Sequence, residues 1–342
     1  MKNINIILVG AGNVGKAFLR VVHEKKDFCL KHYRLNLKVP FIFSSKGAFC
    51  CPLCEDSQEI LRKLYPEFTF EESKYWKPGF SYTQALSSVD PGVLAECTPS
   101  NIKDGEPALT IIREAMETGW NIVTANKGPL VVDFAGLIKK ARKNKVTLKI
   151  SGATGAALPT LDVALYSLAG TEIYRAEGIL NGTTNYILTR MMEGLIYSEA
   201  LREAQEKGIA EPDTSLDVEG WDTASKILLI ANAVYGTGLR LQDVKREGIT
   251  SIPQEIKNES QKKGKNLKLL GKILKNGHKV RLEVALSILD SSHPLYMVNG
   301  TEKGMTFYTD NMDSVTVTGG KSDPRGAAAA LLKDIINIYR EK

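Results

Sequence analysis

A chain of 342 residues has room for two domains, and 43% hydrophobic with 25% charged residues is the balance of a globular protein. No apolar run approaches the roughly 18 residues that would cross a membrane, and the net charge of +6 gathers into no basic stripe of the kind that follows nucleic acid. Five cysteines, behind an amino terminus without signal-peptide features, point to a reducing, cytoplasmic setting.

Residues 4–10, INIILVG, form a continuous apolar run suited to a strand buried on both faces. GAGNVG follows, with Gly10, Gly12 and Gly15 in G-x-G-x-x-G spacing, and then AFLRVVHE with helical periodicity. Between strand and helix this spacing predicts a dinucleotide site. Gly10 permits the turn, Gly12 admits the pyrophosphate, Gly15 lets helix meet strand, and the amides of Asn13 and Val14 open the helix toward phosphate. The second strand, LKVPFIF at 37–43, ends in Ser44, Ser45 and Lys46. The acid that would hold a ribose 2′-hydroxyl is missing there. Two hydroxyls and a lysine suit a 2′-phosphate, so NADP is expected over NAD.

Residues 46–82 read as an irregular insertion holding one helix, DSQEILRKLY, and the Cys50, Cys51 and Cys54 cluster. With four histidines in the chain and no second Cys-x-x-Cys pair, the cluster is read as a loop feature rather than a zinc site. PGVLAECTPS is a strand delivering Cys97, Thr98 and Pro99 at its carboxyl end, and EPALTIIREAMETGW is a helix stopped at Gly119. NIVTANK is a strand ending near Asn126 and Lys127. Alternating strands and helices predict a doubly wound parallel sheet, whose ligands bind at the carboxyl ends of its strands.

VTLKISGATGAALPT reads as a strand entering a small-residue turn, and RAEGILNGTTNYIL as a strand leading into a helix at Gly182, Thr183 and Thr184. Ser198 to Gly208 reads as a helix with an N-cap serine. In EPDTSLDVEGWDTASK, Lys226 follows Asp222 by four residues, so both lie on one helix face. The charge run 257–268 reads as a solvated face. A strand, a glycine turn at Gly319 and a helix from Pro324 close the chain.

GAGNVG, VTANKGPL, EGILNGTTNYIL, EPD…DVEGWDTASK and GGKSDPRGAAAA together resemble the homoserine dehydrogenase family, in order and over essentially the whole chain. The resemblance implies a Rossmann-type doubly wound sheet with a second α/β catalytic and dimerisation domain. Residues 1–148, completed by 315–342, are expected to form the first, and 149–314 the second. It implies interconversion of aspartate 4-semialdehyde and homoserine with NAD(P)H, in threonine and methionine biosynthesis, by a homodimer. Lys226 or Lys127 would give the proton and Asp222 would orient Lys226. Glu211, Asp217, Gly208, Thr183 and Gly182 would bind the amino-acid substrate, and Thr98, Lys127 and Gly319 would join the cofactor site. The resemblance also implies a sodium ion on the backbone carbonyls of Ser151, Thr154, Ala156 and Leu158, although many relatives carry glutamate where Ser151 stands. No appended regulatory domain is expected.

On spacing alone, Asp222 and Lys226 could equally be an ordinary surface pair. The acids around them do not match an EF-hand calcium loop. Three rival functions stay open: a related amino-acid dehydrogenase, an acylating semialdehyde dehydrogenase using Cys97 as nucleophile, and a binding protein that holds NADPH without turnover.

Overall fold

The computed structural model describes residues 1–51, 69–320 and 323–340. The chain forms two compact units, Met1–Ala156 with Asp323–Lys342, and Ala157–Ser322.

In the first unit, β1 (Lys2–Val9) leads through the glycine turn into α1 (Asn13–Glu24). A second helix that periodicity did not disclose, α2 (Lys26–Tyr33), precedes β2 (Leu35–Ser44). The segment expected to be irregular supplies β3 (Gly47–Cys50), β4 (Trp76–Lys77) and, at its end, α3 (Tyr82–Ser88). β3 turns back on β2 and β4 on β3, both antiparallel, so the insertion extends the sheet rather than looping away from it. The expected helix DSQEILRKLY and Cys54 lie outside the described residues. Cys50 is a buried free thiol, whereas Cys51 is disulfide-bonded.

β5 (Val93–Glu96), α4 (Ala108–Glu117), β6 (Asn121–Thr124), α5 (Gly128–Lys143) and β7 (Leu148–Lys149) complete the sheet, in the order β4-β3-β2-β1-β5-β6-β7. From β2 to β7 every pairing is parallel. The β1–β2 register slips between Asn5 and Ile7, opposite Pro40, which has no N–H to give the ladder. Because β2 and β5 lie on opposite sides of β1, the strand order reverses there. That reversal is where a doubly wound sheet opens a crevice.

The second unit holds β8 (Ile173–Ile179), α6 (Gly182–Met192), α7 (Tyr197–Glu206), α8 (Trp221–Tyr235), β9 (Val244–Arg246), α9 (Gln254–Lys262), β10 (Asn266–Asn276), β11 (Lys279–Leu289), β12 (Lys303–Thr309) and β13 (Ser314–Gly319). Its sheet runs β13-β12-β8-β10-β11-β9, antiparallel except for β9 on β11. β13 pairs with β12 along its length, so the strand expected to complete the nucleotide domain belongs to the second sheet. The last helix, α10 (Pro324–Arg340), clusters with the first unit and packs on α1. There Phe18 and Val22 of α1 share a core with Ile4, Ile6 and Leu8 of β1 and Leu331 and Ile335 of α10. Each such side chain contributes about 1.5–3 kcal/mol by leaving water.

Two local readings change. α7 starts one residue before Ser198, with Ile196 at its N-cap, because the Glu199 carboxylate accepts the Ile196 N–H at 3.2 Å. The charge run at 257–268 is only partly solvated: Lys257 is 4% and Lys268 1% exposed. The Lys268 ammonium donates to Asn185 Oδ1 at 3.1 Å, Asn299 Oδ1 at 2.9 Å and the Val298 carbonyl. Its three protons are thus spent on neutral oxygens, pinning β10 to α6 and to the segment before β12. Lys268→Met would strand those oxygens and is expected to cost about 2 kcal/mol, read as a lower urea midpoint. An unchanged midpoint would show that the cage contributes nothing.

Candidate active site

The carboxyl edge of the first sheet carries a cleft of about 830 Å³, lined by Gly10, Ala11, Gly12, Asn13, Val14, Phe43, Ser44, Ser45, Tyr82, Cys97, Thr98, Pro99, Ser100, Asn101, Glu106, Pro107 and Ala125. That volume suits a drug-sized or cofactor-sized ligand. Gly12 is the N-cap of α1 and has no side chain to cap it, so the first-turn amides of Asn13 and Val14 face the cleft with the positive end of the helix. Gly10 adopts φ +97°, and a Cβ on it would lie 2.6 Å from the Cys97 carbonyl carbon. Gly15 is buried behind the turn.

Of the residues expected after β2, Ser44 and Ser45 stand on the cleft wall, joined by Phe43, whose ring lies 4.4 Å from that of Tyr82. Lys46 sits in the exposed β2–β3 turn and pairs with Glu71 at 3.7 Å. Lys127 is the N-cap of α5, and its backbone N–H donates to Ser100 Oγ at 3.1 Å.

Beneath the cleft lies a carboxylate that the sequence reading passed over. Glu96 ends β5 fully buried. It accepts hydrogen bonds from the Thr98 N–H at 2.8 Å, the Thr98 hydroxyl, the Thr124 hydroxyl at 2.8 Å and the Asn126 amide at 3.4 Å. Burial pushes its pKa up, and these donors pull against that shift. The adjacent Cys97 thiol is raised well above its usual range by burial first and by Glu96 second. Both causes disfavour a thiolate at Cys97, which weighs against the acylating role considered for it.

In the second unit, Asn181 follows β8 and caps α6, its Oδ1 accepting the Thr184 N–H at 2.8 Å. Gly220, at φ +81°, turns the chain into α8, placing Asp222 in the first turn and Lys226 one turn on. The Lys226 ammonium donates to Asp222 Oδ2 at 2.6 Å and to the Leu180 carbonyl at 2.8 Å. The Asn181 amide donates to Asp217 Oδ1 at 2.6 Å and to Asp222 Oδ2 at 2.9 Å. With 16% and 13% of their side chains exposed, Lys226 and Asp222 are not the solvated surface pair that spacing alone allowed.

The structure therefore gathers Lys226, Asp222 and Asp217 through Asn181, a residue within the NGTTNYIL motif that sequence reasoning did not single out. The missed signal was an asparagine directly before a helix start. Gly182 and Thr183 open α6 beside it, with the Thr183 hydroxyl donating to the Ile209 carbonyl at 3.0 Å. Gly208 ends α7 at φ +65°. Glu211 is exposed and outside this network. Gly319 closes β13 in the second unit at φ +119°. The Ser151 carbonyl already accepts the Ala156 N–H at 3.0 Å and the Thr154 hydroxyl at 3.2 Å, and the Leu158 carbonyl accepts the Thr160 N–H at 2.8 Å.

Asn181→Ala removes both the α6 cap and the tie between two carboxylates. It is expected to cost about 1–2 kcal/mol in stability and roughly tenfold or more in kcat/KM, read by melting and steady-state kinetics. Full kcat/KM in a folded variant would show that the carboxylates hold their places without Asn181.

The family model described as homoserine dehydrogenase matches residues 159–336. A homoserine dehydrogenase of Methanocaldococcus jannaschii is 41% identical over 340 residues, covering 98% of each chain. An NAD(+)-dependent homoserine dehydrogenase of Pseudomonas canavaninivorans is 35% identical over 249 residues, covering 72% of this chain and 71% of its own. The crystal structure of a putative homoserine dehydrogenase from Archaeoglobus fulgidus superposes with a TM-score of 0.85 at 34% identity, covering 98% of this chain and 99% of that one. With the family model matching more than half of its length, the chain belongs to the homoserine dehydrogenase family.

Proposed function

We propose that this homoserine dehydrogenase reduces aspartate 4-semialdehyde with NADPH in preference to NADH, with Lys226 as the proton donor. The observation that carries the reading is the Lys226 ammonium, two of whose three protons are fixed by Asp222 and Leu180. The third is left to donate to an incoming oxygen. A bound nicotinamide supplies the hydride, and what the chain adds is placement and charge. The cation stabilises negative charge gathering on the aldehyde oxygen and then gives up its proton. Asp222 holds the lysine in place and aims it. Asp217, held by Asn181, offers an anion to the substrate ammonium, with Glu211, Gly208, Thr183 and Gly182 around it. Lys127 is proposed to act beside the nicotinamide and Gly319 to approach the cofactor.

Ser44 and Ser45 on the cleft wall, where an acid would repel a 2′-phosphate, support NADPH. Lys46 extends the same turn, and its exposed pairing with Glu71 leaves it able to swing to an anion. The Pseudomonas relative is named for NAD(+), so the preference is tested directly. Oxidation of NADPH and NADH is followed on aspartate 4-semialdehyde at equal concentrations. Faster turnover with NADH would overturn the NADPH assignment, and no turnover with either would overturn the function. We also propose a cytoplasmic homodimer formed through the second unit, supported by β13, an edge strand of alternating exposure. A monomer in sedimentation would refute it.

A further inference from the structure

Glu96 is a buried carboxyl group to which the reaction as described assigns no task. All four groups bonded to its oxygens, from Thr98, Thr124 and Asn126, are neutral donors. The Thr98 N–H and the Asn126 amide can only donate, an arrangement that favours the ionised carboxylate. Thr98, which Glu96 fastens, is itself in the cleft wall. In its ionised form Glu96 would place a negative charge beneath Thr98 of the cleft wall, at the end of β5.

Its position relative to a dinucleotide follows from the sheet. In a doubly wound sheet the adenosine ribose is read at the end of the second strand and the pyrophosphate rests on the first helix. Here those places are Ser44 with Ser45, and the start of α1. The other half of a dinucleotide held there would extend across the reversal point, toward the ends of β5 and β6, where Glu96 is buried. Departure of hydride leaves that ring positively charged, whereas the reduced ring is neutral.

We propose that Glu96 tunes the cofactor electrostatically, its buried carboxylate favouring the oxidised, cationic nicotinamide over the reduced ring and so biasing bound reactants toward aldehyde reduction. The inference rests on the first-unit cleft being the dinucleotide site.

The test is equilibrium binding of NADP⁺ and NADPH, each titrated alone against the full chain, for wild type, Glu96→Gln and Glu96→Asp. Gln retains the shape and removes the charge. It is expected to weaken NADP⁺ relative to NADPH by roughly tenfold, the scale of one charge acting across several ångströms of protein. A merely structural role for Glu96 would weaken both forms together. Asp keeps the charge and should hold the wild-type ratio to within about threefold. An unchanged ratio in Glu96→Gln overturns the inference while leaving the cleft assignment intact. A tenfold fall in the ratio for Glu96→Asp overturns it as well, and this arm stands even if the Gln variant does not fold. Failure of wild type to bind either form removes the cleft assignment and the inference together.

Discussion

Lys226→Ala is expected to lower kcat by roughly a thousandfold while leaving NADPH binding within about twofold of wild type, because a positioned general acid contributes on that scale. The separation follows from where the residues lie. The glycine turn and its cleft belong to the first unit, and Lys226 with Asp222, Asp217 and Asn181 to the second. Removing the ammonium leaves the Asp222 carboxylate without its cation and no donor for the developing alkoxide, so the transition state loses more than the ground state. Lys226→Arg makes a sharp control. It restores charge beside Asp222, but a guanidinium does not release its proton and its planar fork does not fit a tetrahedral ammonium site. If Arg recovers most of the rate, the residue works by charge alone. Near-normal kcat in Lys226→Ala would remove the proton-donor assignment altogether.

What the sequence disclosed depended on how local the cause was. The β1–turn–α1 unit is written in consecutive residues: an apolar run, three glycines, then a change of period, and the structure builds it there. The Asp222–Lys226 pair was legible as one helix face, but its burial was not, since Leu180 and Asn181 reach it from the turn after β8, some forty residues earlier. Glu96 hid for a similar reason. In sequence it is a lone acid at a strand end, and its donors at Thr124 and Asn126 arrive from the neighbouring strand. Lys257 and Lys268 looked solvated because they sit in a charged run, while tertiary acceptors allow their burial. β3 and β4 are too short for periodicity to register, and pairing of β3 with β2 and of β4 with β3 creates them.

Gly15→Ala and Gly12→Ala should fail in different ways, although both change the same motif. A Cβ at Gly15 would lie 1.9 Å from the Gly10 carbonyl oxygen and 3.0 Å from its carbon. Both are backbone atoms, so no side chain can swing aside, and α1 must lift from the end of β1. That movement strains the core shared by Phe18, Ile6 and Leu331 and shifts the Asn13 and Val14 amides off the phosphate position. An overpacking cost of about 3 kcal/mol is expected, lowering Tm by several degrees, together with a fall of roughly a hundredfold or more in NADPH affinity. At Gly12 an added Cβ meets nothing within 4 Å, and φ is −78°, which any residue adopts. Gly12→Ala should therefore melt like wild type. Its methyl instead occupies the space through which a pyrophosphate approaches the helix amides, so binding alone is lost. Differential scanning calorimetry beside NADPH titration separates the two. A Gly15→Ala variant with the wild-type Tm would show that α1 has room to yield. A Gly12→Ala variant that binds NADPH normally would mean that the phosphates do not pass over this turn.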